Sequence, residues 1–485
     1  MDSHVIGEIL AICMFAGLIG FMLLGFPVAF ALGGASLAFA GIGILFSAFD
    51  TPLLAGAFGR TYDAITNDVL ISIPLFVFMG TVLERSKIAE ELLTTMGQAF
   101  GKLPGGLGYS VVIVGTLLAA STGIVGATVV TMGLISYPAM MRARYHQPLA
   151  AGIITASGTL AQLIPPSTVL ILIGSFMQGA NVQVQAAKGN YAADPVTVVE
   201  IFVAAIIPGL LLAGSYMAWV MYIAWRHPQR VPPLDISIEE RRTFKMRIVK
   251  VMIPPLLLIV AVLGSILTGF ATATESASVG AVGALVLAAF NRQINIGMLR
   301  YACRATMSMS GMIFLILIGA SIFSLVFRGL GGEKLADDVF SQLPGGAASA
   351  TFVVLALMFL LGFFIDTFEI IFIIVPIFAP VLLKLGVDPL WLSVMMGVCC
   401  RPVTSRHRLV TRFSTCRAPR ATCRCSRFTA AWCPSSPCRC CSCSSCGSFR
   451  SSSPGYPPSC SDFKAVPFRA VLLITEASPW IDAKP

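Results

Sequence analysis

The chain has 485 residues, of which 56% are hydrophobic and 12% charged, and its formal net charge is +10. Soluble domains carry about 25% charged residues, so this composition excludes an ordinary soluble protein and indicates a membrane protein. One crossing of the bilayer needs about 20 apolar residues, and about ten such stretches are too many for a signal peptide or a single anchor. In chain order they cover residues 5–24, 27–48, 70–83, 108–139, 148–175, 198–225, 251–270, 272–290, 303–328 and 350–383.

The longest polar loop sets the orientation of these segments. It covers Trp225–Lys250 and carries seven Lys or Arg residues. Positive residues in short loops mark the cytoplasmic side of a membrane. Counting crossings from this loop in both directions places Arg142, Arg144 and Arg292 on the same side, which makes the scheme self-consistent. A nucleic-acid-binding patch is not predicted, because acidic residues are interspersed and the loop joins two spans.

An internal repeat is the next feature. The tetrapeptide "LPGG" occurs at Leu103–Gly106 and again at Leu343–Gly346. Each copy follows an apolar segment, "IPLFVFMG" or "MIFLILIG", and an amphipathic one, and each precedes an unusually long apolar stretch. An odd number of crossings, five, separates the two copies if the first long stretch returns to its own side. This arrangement is typical of the inverted-topology repeats of secondary transporters.

The first long stretch, residues 108–139, predicts a re-entrant hairpin. It is too long for one crossing and too short for two with a loop. Its middle, "AASTGIVGATVV", is rich in small and hydroxyl-bearing residues, and we expect the chain to turn at Ser121, Thr122 and Gly123. Unpaired backbone at membrane depth is tolerated where it lines a cavity or binds a ligand. Thr128 belongs to the same candidate ion and substrate region.

The stretch after the first hairpin predicts a discontinuous helix. In "AQLIPPSTVLILIG" the pair Pro165 and Pro166 interrupts an apolar span just before Ser167. Proline removes backbone donors and breaks helices, so we expect a second opened backbone beside the hairpin. A simple kink is the alternative.

The second long stretch, residues 350–383, predicts the second hairpin. Asp366, Thr367 and Glu369 lie in its centre, "GFFIDTFEIIFIIVP". Ionisable residues within a membrane are costly and therefore indicate a functional site, although hydration at an interface is the alternative. Thr274 and Glu275 in "TATESASVG" pose the same question near a membrane boundary.

The predicted fold class is an all-α polytopic membrane protein with inverted-topology repeats, two re-entrant helical hairpins and discontinuous helices. The predicted divisions are scaffold spans at 1–70, the first repeat at 71–175 with hairpin 108–139, scaffold spans at 176–302 with cytoplasmic loop 226–250, a truncated second repeat at 303–398 with hairpin 350–383, and a tail at 399–485.

Five motifs in this order carry a family resemblance: "LPGG", "STGIVGATVVTMGLISYPAMM", "AQLIPPSTVLILIG", "TATESASVGAVGAL" and "DTFEIIFIIVPIFAPVL". From about Val5 to Val398 the chain resembles the large membrane subunit of the tripartite ATP-independent periplasmic (TRAP) transporters. The resemblance implies a sodium-coupled permease of the bacterial inner membrane with an elevator motion. It also implies a small membrane subunit and a soluble periplasmic substrate-binding protein that delivers an organic acid anion.

The tail after Val398 differs from the rest of the chain. Between Cys399 and Ser461 it has no Asp or Glu, ten Arg and twelve of the fourteen Cys. Back-translation of Cys399–Cys416, read one nucleotide early with free choice of third bases, gives "LQTSYLTPPFGYALFYL". This contains the proline motif that the family has at the equivalent place of the second repeat. We therefore expect a frameshift at this point, with no selected chemistry in the residues that follow.

The function predicted from the sequence is secondary active uptake of an organic acid anion. The expected site comprises Ser121, Thr122, Gly123, Thr128, Pro165, Pro166, Ser167, Thr274, Glu275, Asp366 and Thr367, with sodium near Ser121 and Asp366. An enzyme is not predicted, since the four His form no metal or nucleophile motif, and no cofactor is expected apart from the coupling sodium ion. The alternatives are a dicarboxylate or citrate symporter that needs no binding protein, and an inactive frameshifted remnant.

Overall fold

The computed structural model describes residues 3–400 except 102, 123–124, 193–194, 234–243 and 364. The described residues form α-helices and two short 3₁₀ helices, Thr159–Gln162 and Pro228–Arg230, with no β-strand among them. The α-helices are α1 Ser3–Leu23, α2 Val28–Leu45, α3 Pro52–Thr66, α4 Asp68–Arg85, α5 Ile88–Ala99, α6 Gly106–Thr122, α7 Val125–Arg142, α8 Gln147–Gly158, α9 Thr168–Ala187, α10 Val198–Arg226, α11 Phe244–Leu267, α12 Ala273–Phe290, α13 Ile296–Gly329, α14 Gly332–Ser341, α15 Gly346–Leu361, α16 Thr367–Lys384 and α17 Pro389–Cys399.

Seven of the described helices are long and apolar enough to cross a bilayer, namely α1, α2, α9, α10, α12, α13 and α16. The bent pair α3 and α4, with an angle of 49° between its two parts, adds an eighth candidate span. The shorter apolar segments among the described residues are Gly106–Leu118, Val251–Leu267, Gly346–Leu361 and Pro389–Cys399. The predicted all-α polytopic class is confirmed.

The two repeats match element by element. In the first, α4 is followed by the amphipathic α5, the hairpin α6–α7 and the short α8; in the second, α13 is followed by α14, the hairpin α15–α16 and α17. The hairpin arms have nearly equal lengths, 17 and 18 residues against 16 and 18, and α8 and α17 have 12 and 11. Five crossings separate the hairpins, counting the interrupted α8–α9 as one and adding α10 to α13. The inverted-topology repeat is therefore confirmed.

The "LPGG" motif has the same conformational role in both repeats. Gly105 has φ +83° and Gly345 has φ +103°, and each directly precedes the first arm of a hairpin. Only glycine visits this left-handed region at little cost, which explains why the motif recurs where the chain must turn sharply into the hairpin.

Small residues allow the helices outside the hairpins to approach closely. A Cβ added to Gly280 of α12 would lie 2.6 Å from the Sδ of Met79 in α4, and one at Gly283 would lie 2.4 Å from Leu258 Cδ1 in α11. Close backbone approach through small residues drives helix association in lipid, where the hydrophobic effect is absent. Helix α13 packs against α2, α3 and α4, so the long helix that begins the second repeat also contacts the first.

Candidate functional site

The break in the first repeat is an opened stretch of backbone between two helices. Helix α8 ends at Gly158, the 3₁₀ helix follows, and α9 begins at Thr168 after Pro165 and Pro166, so the predicted discontinuity is confirmed. Both prolines are buried. The N-cap residue of α9, Ser167, holds the break together, because its Oγ donates to the carbonyl oxygen of Gln162 at 2.7 Å and accepts from the Leu170 amide at 3.4 Å.

Hairpin 1, formed by α6 and α7, lies against this break. A Cβ at Gly115 of α6 would lie 2.7 Å from the Cβ of Ser157, and a Cβ at Gly158 would lie 2.3 Å from Cγ2 of Val129 in α7. Both arms also contact the 3₁₀ helix. The end of α8 therefore fits between the two arms of the hairpin.

The predicted turn of hairpin 1 falls partly outside the described residues. Ser121 and Thr122 are the last two residues of α6, while Gly123 lies outside the described part of the chain. Helix α7 resumes at Val125, and the side chain of Thr128, one turn into it, is 2% exposed. The structure thus has a helix break at the predicted position.

Hairpin 2, formed by α15 and α16, turns at its acidic centre. Helix α15 ends at Leu361 and α16 begins at Thr367, with Asp366 as the N-cap residue. The backbone amide of Asp366 donates to Glu369 Oε2 at 3.2 Å, so Glu369 closes the first turn of α16 as in a capping box. Asp366 itself is exposed, whereas Thr367 is buried.

A hydrogen bond joins the break of the first repeat to hairpin 2. The Gln162 side chain donates from Nε2 to Thr367 Oγ1 at 2.6 Å, across 205 positions of sequence. The Thr367 hydroxyl donates in turn to the carbonyl oxygen of Cys400 at 2.9 Å, just beyond α17. The sequence analysis did not include Gln162. The available signal was a lone amide in the apolar segment "TLAQLIPPS".

A second polar contact that the sequence analysis missed links hairpin 1 to α4. The hydroxyl of Thr131 in α7 donates to a carboxylate oxygen of Glu84, near the end of α4. A half-buried carboxylate with a hydroxyl partner in a hairpin arm ties this hairpin to the helix that begins its own repeat.

Thr274 and Glu275 have partners in a different part of the molecule. Thr272 is the N-cap residue of α12, and Glu275 Oε2 accepts from its amide at 2.8 Å in a capping box. The Thr274 hydroxyl donates to the carbonyl oxygen of Asp68 at 2.6 Å and so links α12 to α4. These contacts give both residues a structural role, and their part in a binding site stays a prediction.

The arrangement brings chemically useful groups together. Helices α9 and α16 both start next to Gln162, one through the Ser167 bond and the other through Thr367. Helix N-termini favour anionic groups, and hydroxyl and amide oxygens suit hard cations. The described region therefore offers elements for an organic anion and for a small cation in one place.

Two hairpins around interrupted helices, within an inverted repeat of apolar helices, define a secondary transporter of the membrane. The chain belongs to the DctM component family of the tripartite ATP-independent periplasmic transporters, which matches residues 15–402. It is therefore the large permease component of a tripartite transporter.

Two relatives agree with this assignment, and one solved structure shares the fold. The chain is 29% identical over 404 residues to the C4-dicarboxylate TRAP transporter large permease protein DctM of Rhodobacter capsulatus, covering 81% of this chain and 88% of that protein. It is 30% identical over 347 residues to the protein of the same description from Pseudomonas aeruginosa, covering 70% and 74%. The YdaH transporter of Alcanivorax borkumensis shares the fold, with a TM-score of 0.53, 17% identity and coverage of 82% and 90%.

Proposed function

We propose that this chain is the permease of a sodium-coupled importer of organic acid anions, of the dicarboxylate or sugar-acid type, in the bacterial inner membrane. It works with a small membrane subunit and a periplasmic substrate-binding protein. The tripartite family and the C4-dicarboxylate relatives support the substrate class.

One observation carries the proposal. The break of the first repeat contacts hairpin 1 and is hydrogen-bonded to hairpin 2 through Gln162 and Thr367. Transporters with inverted repeats bind substrate and ions near the midplane where discontinuous helices meet. The start of α9 favours the carboxylate of the substrate, as helix N-termini do for anions, whereas the start of α16 already carries the carboxylates of Asp366 and Glu369.

The proposed ion region rests on the sequence motifs of the two hairpins. Hydroxyl and backbone oxygens near Ser121, Thr122 and Thr128 in hairpin 1, with Asp366 and Thr367 opposite in the sequence repeat, are the proposed sodium and substrate groups. Pro165, Pro166 and Ser167 supply opened backbone between them, and Gly123, which lies outside the described residues, remains part of the proposed site. Sodium is a substrate of the transport cycle here, and the amide oxygen of Gln162 adds one more hard ligand type to the region.

The sequence as written favours a second outcome for this particular chain, an inactive remnant. The family match ends at residue 402, next to the frameshift predicted after Val398. Ten Arg and no acidic residue follow up to Ser461, in a part of the chain where the second repeat needs its own interrupted helix. Charges of this kind are costly in lipid.

The test is uptake into proteoliposomes that contain the chain, with its reading frame restored after Val398, and the small membrane subunit, with the binding protein outside. Labelled C4-dicarboxylate and a labelled sugar acid are compared under an inward sodium gradient and under an equal potassium gradient. The proposal expects uptake that needs both sodium and the binding protein. Uptake that persists without the binding protein favours the independent symporter instead, and uptake under potassium alone rejects sodium coupling.

A further inference from the structure

Gln162 connects three places where helices begin or end. Its backbone carbonyl accepts from Ser167, the N-cap residue of α9, and its side chain donates to Thr367, the first residue of α16. The Thr367 hydroxyl in turn donates a hydrogen bond to the carbonyl oxygen of Cys400, the C-cap residue of α17. Gln162 and Thr367 are 2% and 1% exposed, so water cannot readily replace either partner.

We propose that Gln162 is a positioning residue that fixes the first turn of α16, and with it the turn of hairpin 2, against the break in the first repeat. A threonine hydroxyl has one proton to donate, and Thr367 gives it to Cys400. One of the two lone pairs of the hydroxyl oxygen accepts from the Gln162 amide nitrogen. The Thr367 hydroxyl and the amide nitrogen of Gln162 therefore both have partners in a single geometry. This geometry sets the spacing between the starts of α9 and α16.

The orientation of the amide makes the proposal specific. Among the described residues, the Oε1 atom of Gln162 is buried and has no hydrogen-bond partner. The contact with hairpin 2 therefore uses only the donor half of the side chain. An apolar side chain of similar length, such as that of methionine, would fill the space without donating a hydrogen bond.

A second contact between α9 and α16 does not replace this hydrogen bond. Phe176 of α9 packs edge-on against Phe372 of α16 with ring centroids 5.7 Å apart, about one turn beyond the start of α16. Ring packing of this type holds the helices side by side but is less directional than a buried hydrogen bond. We infer that it maintains the α9–α16 pair while Gln162 sets the position of the turn.

Hydrogen exchange of the full chain in lipid nanodiscs tests the proposal. The variants are Gln162→Met and Thr367→Val, with Thr367→Ser as the conservative variant that keeps the hydroxyl. Gln178→Met on α9 is the matched control, since the same change is made at a half-buried position away from the break. The readout is exchange at the start of α16, where the Ile370 amide donates to the Asp366 carbonyl at 3.1 Å.

We expect Gln162→Met and Thr367→Val to raise exchange there by about tenfold, the size that the loss of one buried hydrogen bond produces. In Thr367→Ser and Gln178→Met we expect the exchange rate at the start of α16 to stay within about twofold of the parent chain, because both variants keep the hydrogen bond from Gln162. The double variant Gln162→Met with Thr367→Val exchanges no faster than either single variant, because both remove the same contact.

Three results overturn the proposal: protection in Gln162→Met equal to that of the parent chain, additive effects in the double variant, or faster exchange in α8 and α9 alone. If Gln162→Met does not assemble, Gln162→Asn keeps the amide but is one methylene too short, and the same tenfold rise is expected. The consequence for transport rests on the proposed function, whereas exchange does not need transport, so the two can fail separately.

Discussion

In the first repeat the chain runs from α8 through the 3₁₀ helix and the two prolines into α9, whereas in the second repeat the described chain ends just after α17, at Cys400. Up to that point the two repeats agree in order, length and turn geometry. Beyond it the first repeat supplies the break that contacts both hairpins. The agreement up to α17 indicates that the same selection shaped both halves as far as Val398.

The turns that follow the hairpins show how the same backbone can be built from different residues. After α7 the chain turns through Arg144, with φ +59°, and after α16 it turns through Gly386, with φ +89°. Each turn leads into a short helix with proline in its first turn, α8 or α17. The repeat is therefore conserved in conformation at positions where it is not conserved in side chain.

The largest expected effect comes from completing the second repeat. Restoring the frame after Val398 should introduce "LQTSYLTPPFG" and a following apolar span in place of the Arg-rich tail. Helix α17 would then be followed by a proline-containing break and a second helix, as α8 is in the first repeat. We expect no sodium-driven uptake from the chain as written and uptake from the restored chain, measured in the proteoliposome assay with both partner subunits.

The control for the restored chain carries the same one-base change after codon 470, which leaves the Arg-rich segment in place. It should be as inactive as the written chain. Equal uptake by the written and restored chains would show that the second repeat works without its interrupted helix, and the comparison between the halves would then lose its functional meaning.

The next effect concerns the fit of α8 into hairpin 1. In Gly158→Ala the new Cβ would lie 2.3 Å from Val129 Cγ2 and 3.1 Å from the Val129 Cα, so backbone as well as side chain must move. Overpacking of this kind costs about 1–3 kcal/mol of unfolding free energy, which denaturant unfolding in detergent measures.

Gly152→Ala is the matched control for this change, on the same helix. A Cβ there meets nothing within 4 Å, so the substitution should be neutral or stabilise the helix by up to about 1 kcal/mol through its higher helix propensity. If both alanines have the same effect, α8 does not fit closely between the arms, and the first repeat is looser than its geometry indicates.

Local signals made the helical frame predictable. The unusual length of stretches 108–139 and 350–383 indicated hairpins, and Pro165 with Pro166 indicated an interrupted helix. The repeated "LPGG" identified the two halves because glycine is required at φ near +90°. Each of these features depends on neighbours in sequence, so no tertiary information was needed.

The partners of the site residues were less predictable. The bond between Gln162 and Thr367 joins residues 205 positions apart, and only the packed fold brings them together. Glu275 was included in the predicted site and Glu369 was noted as a candidate functional charge, although each stands three residues after a residue that caps a helix, a pattern visible in the sequence. A charge in an apolar segment can belong to a binding site or to a helix cap, and the sequence alone does not distinguish these two roles.

A smaller effect is expected from exchanging the turn residues after the hairpins. A side chain in the left-handed region costs roughly 1–2 kcal/mol, so Gly386→Ala should lower thermal stability while Arg144→Gly should raise it or leave it unchanged. Thermal unfolding in nanodiscs measures both. If Gly386→Ala is neutral, the second turn can adopt another conformation, and the geometric match of the two repeats is not required at this point.

The smallest effect concerns the ends of the second arms, where Arg142 closes α7 and Lys384 closes α16. The Lys384 ammonium pairs with Glu333 at 3.0 Å and Asp337 at 2.8 Å, both on α14, whereas Arg142 has no ion pair among the described residues. With 35% of its side chain exposed, Lys384 is screened by solvent. Lys384→Met should therefore cost only about 0.5–1 kcal/mol at low salt, and less as salt is added.

Arg142→Met serves as the counterpart in the first repeat, and thermal unfolding at low and high sodium chloride compares the two. We expect a smaller loss that changes little with salt, because the described part of the chain gives Arg142 no charged partner to screen. Equal, salt-independent losses would mean that the methylene stems, packed along the arms, stabilise both hairpin ends. A salt-dependent loss confined to Lys384 would mean that charge holds α14 to hairpin 2 in the second repeat, while packing alone joins α5 to hairpin 1 in the first.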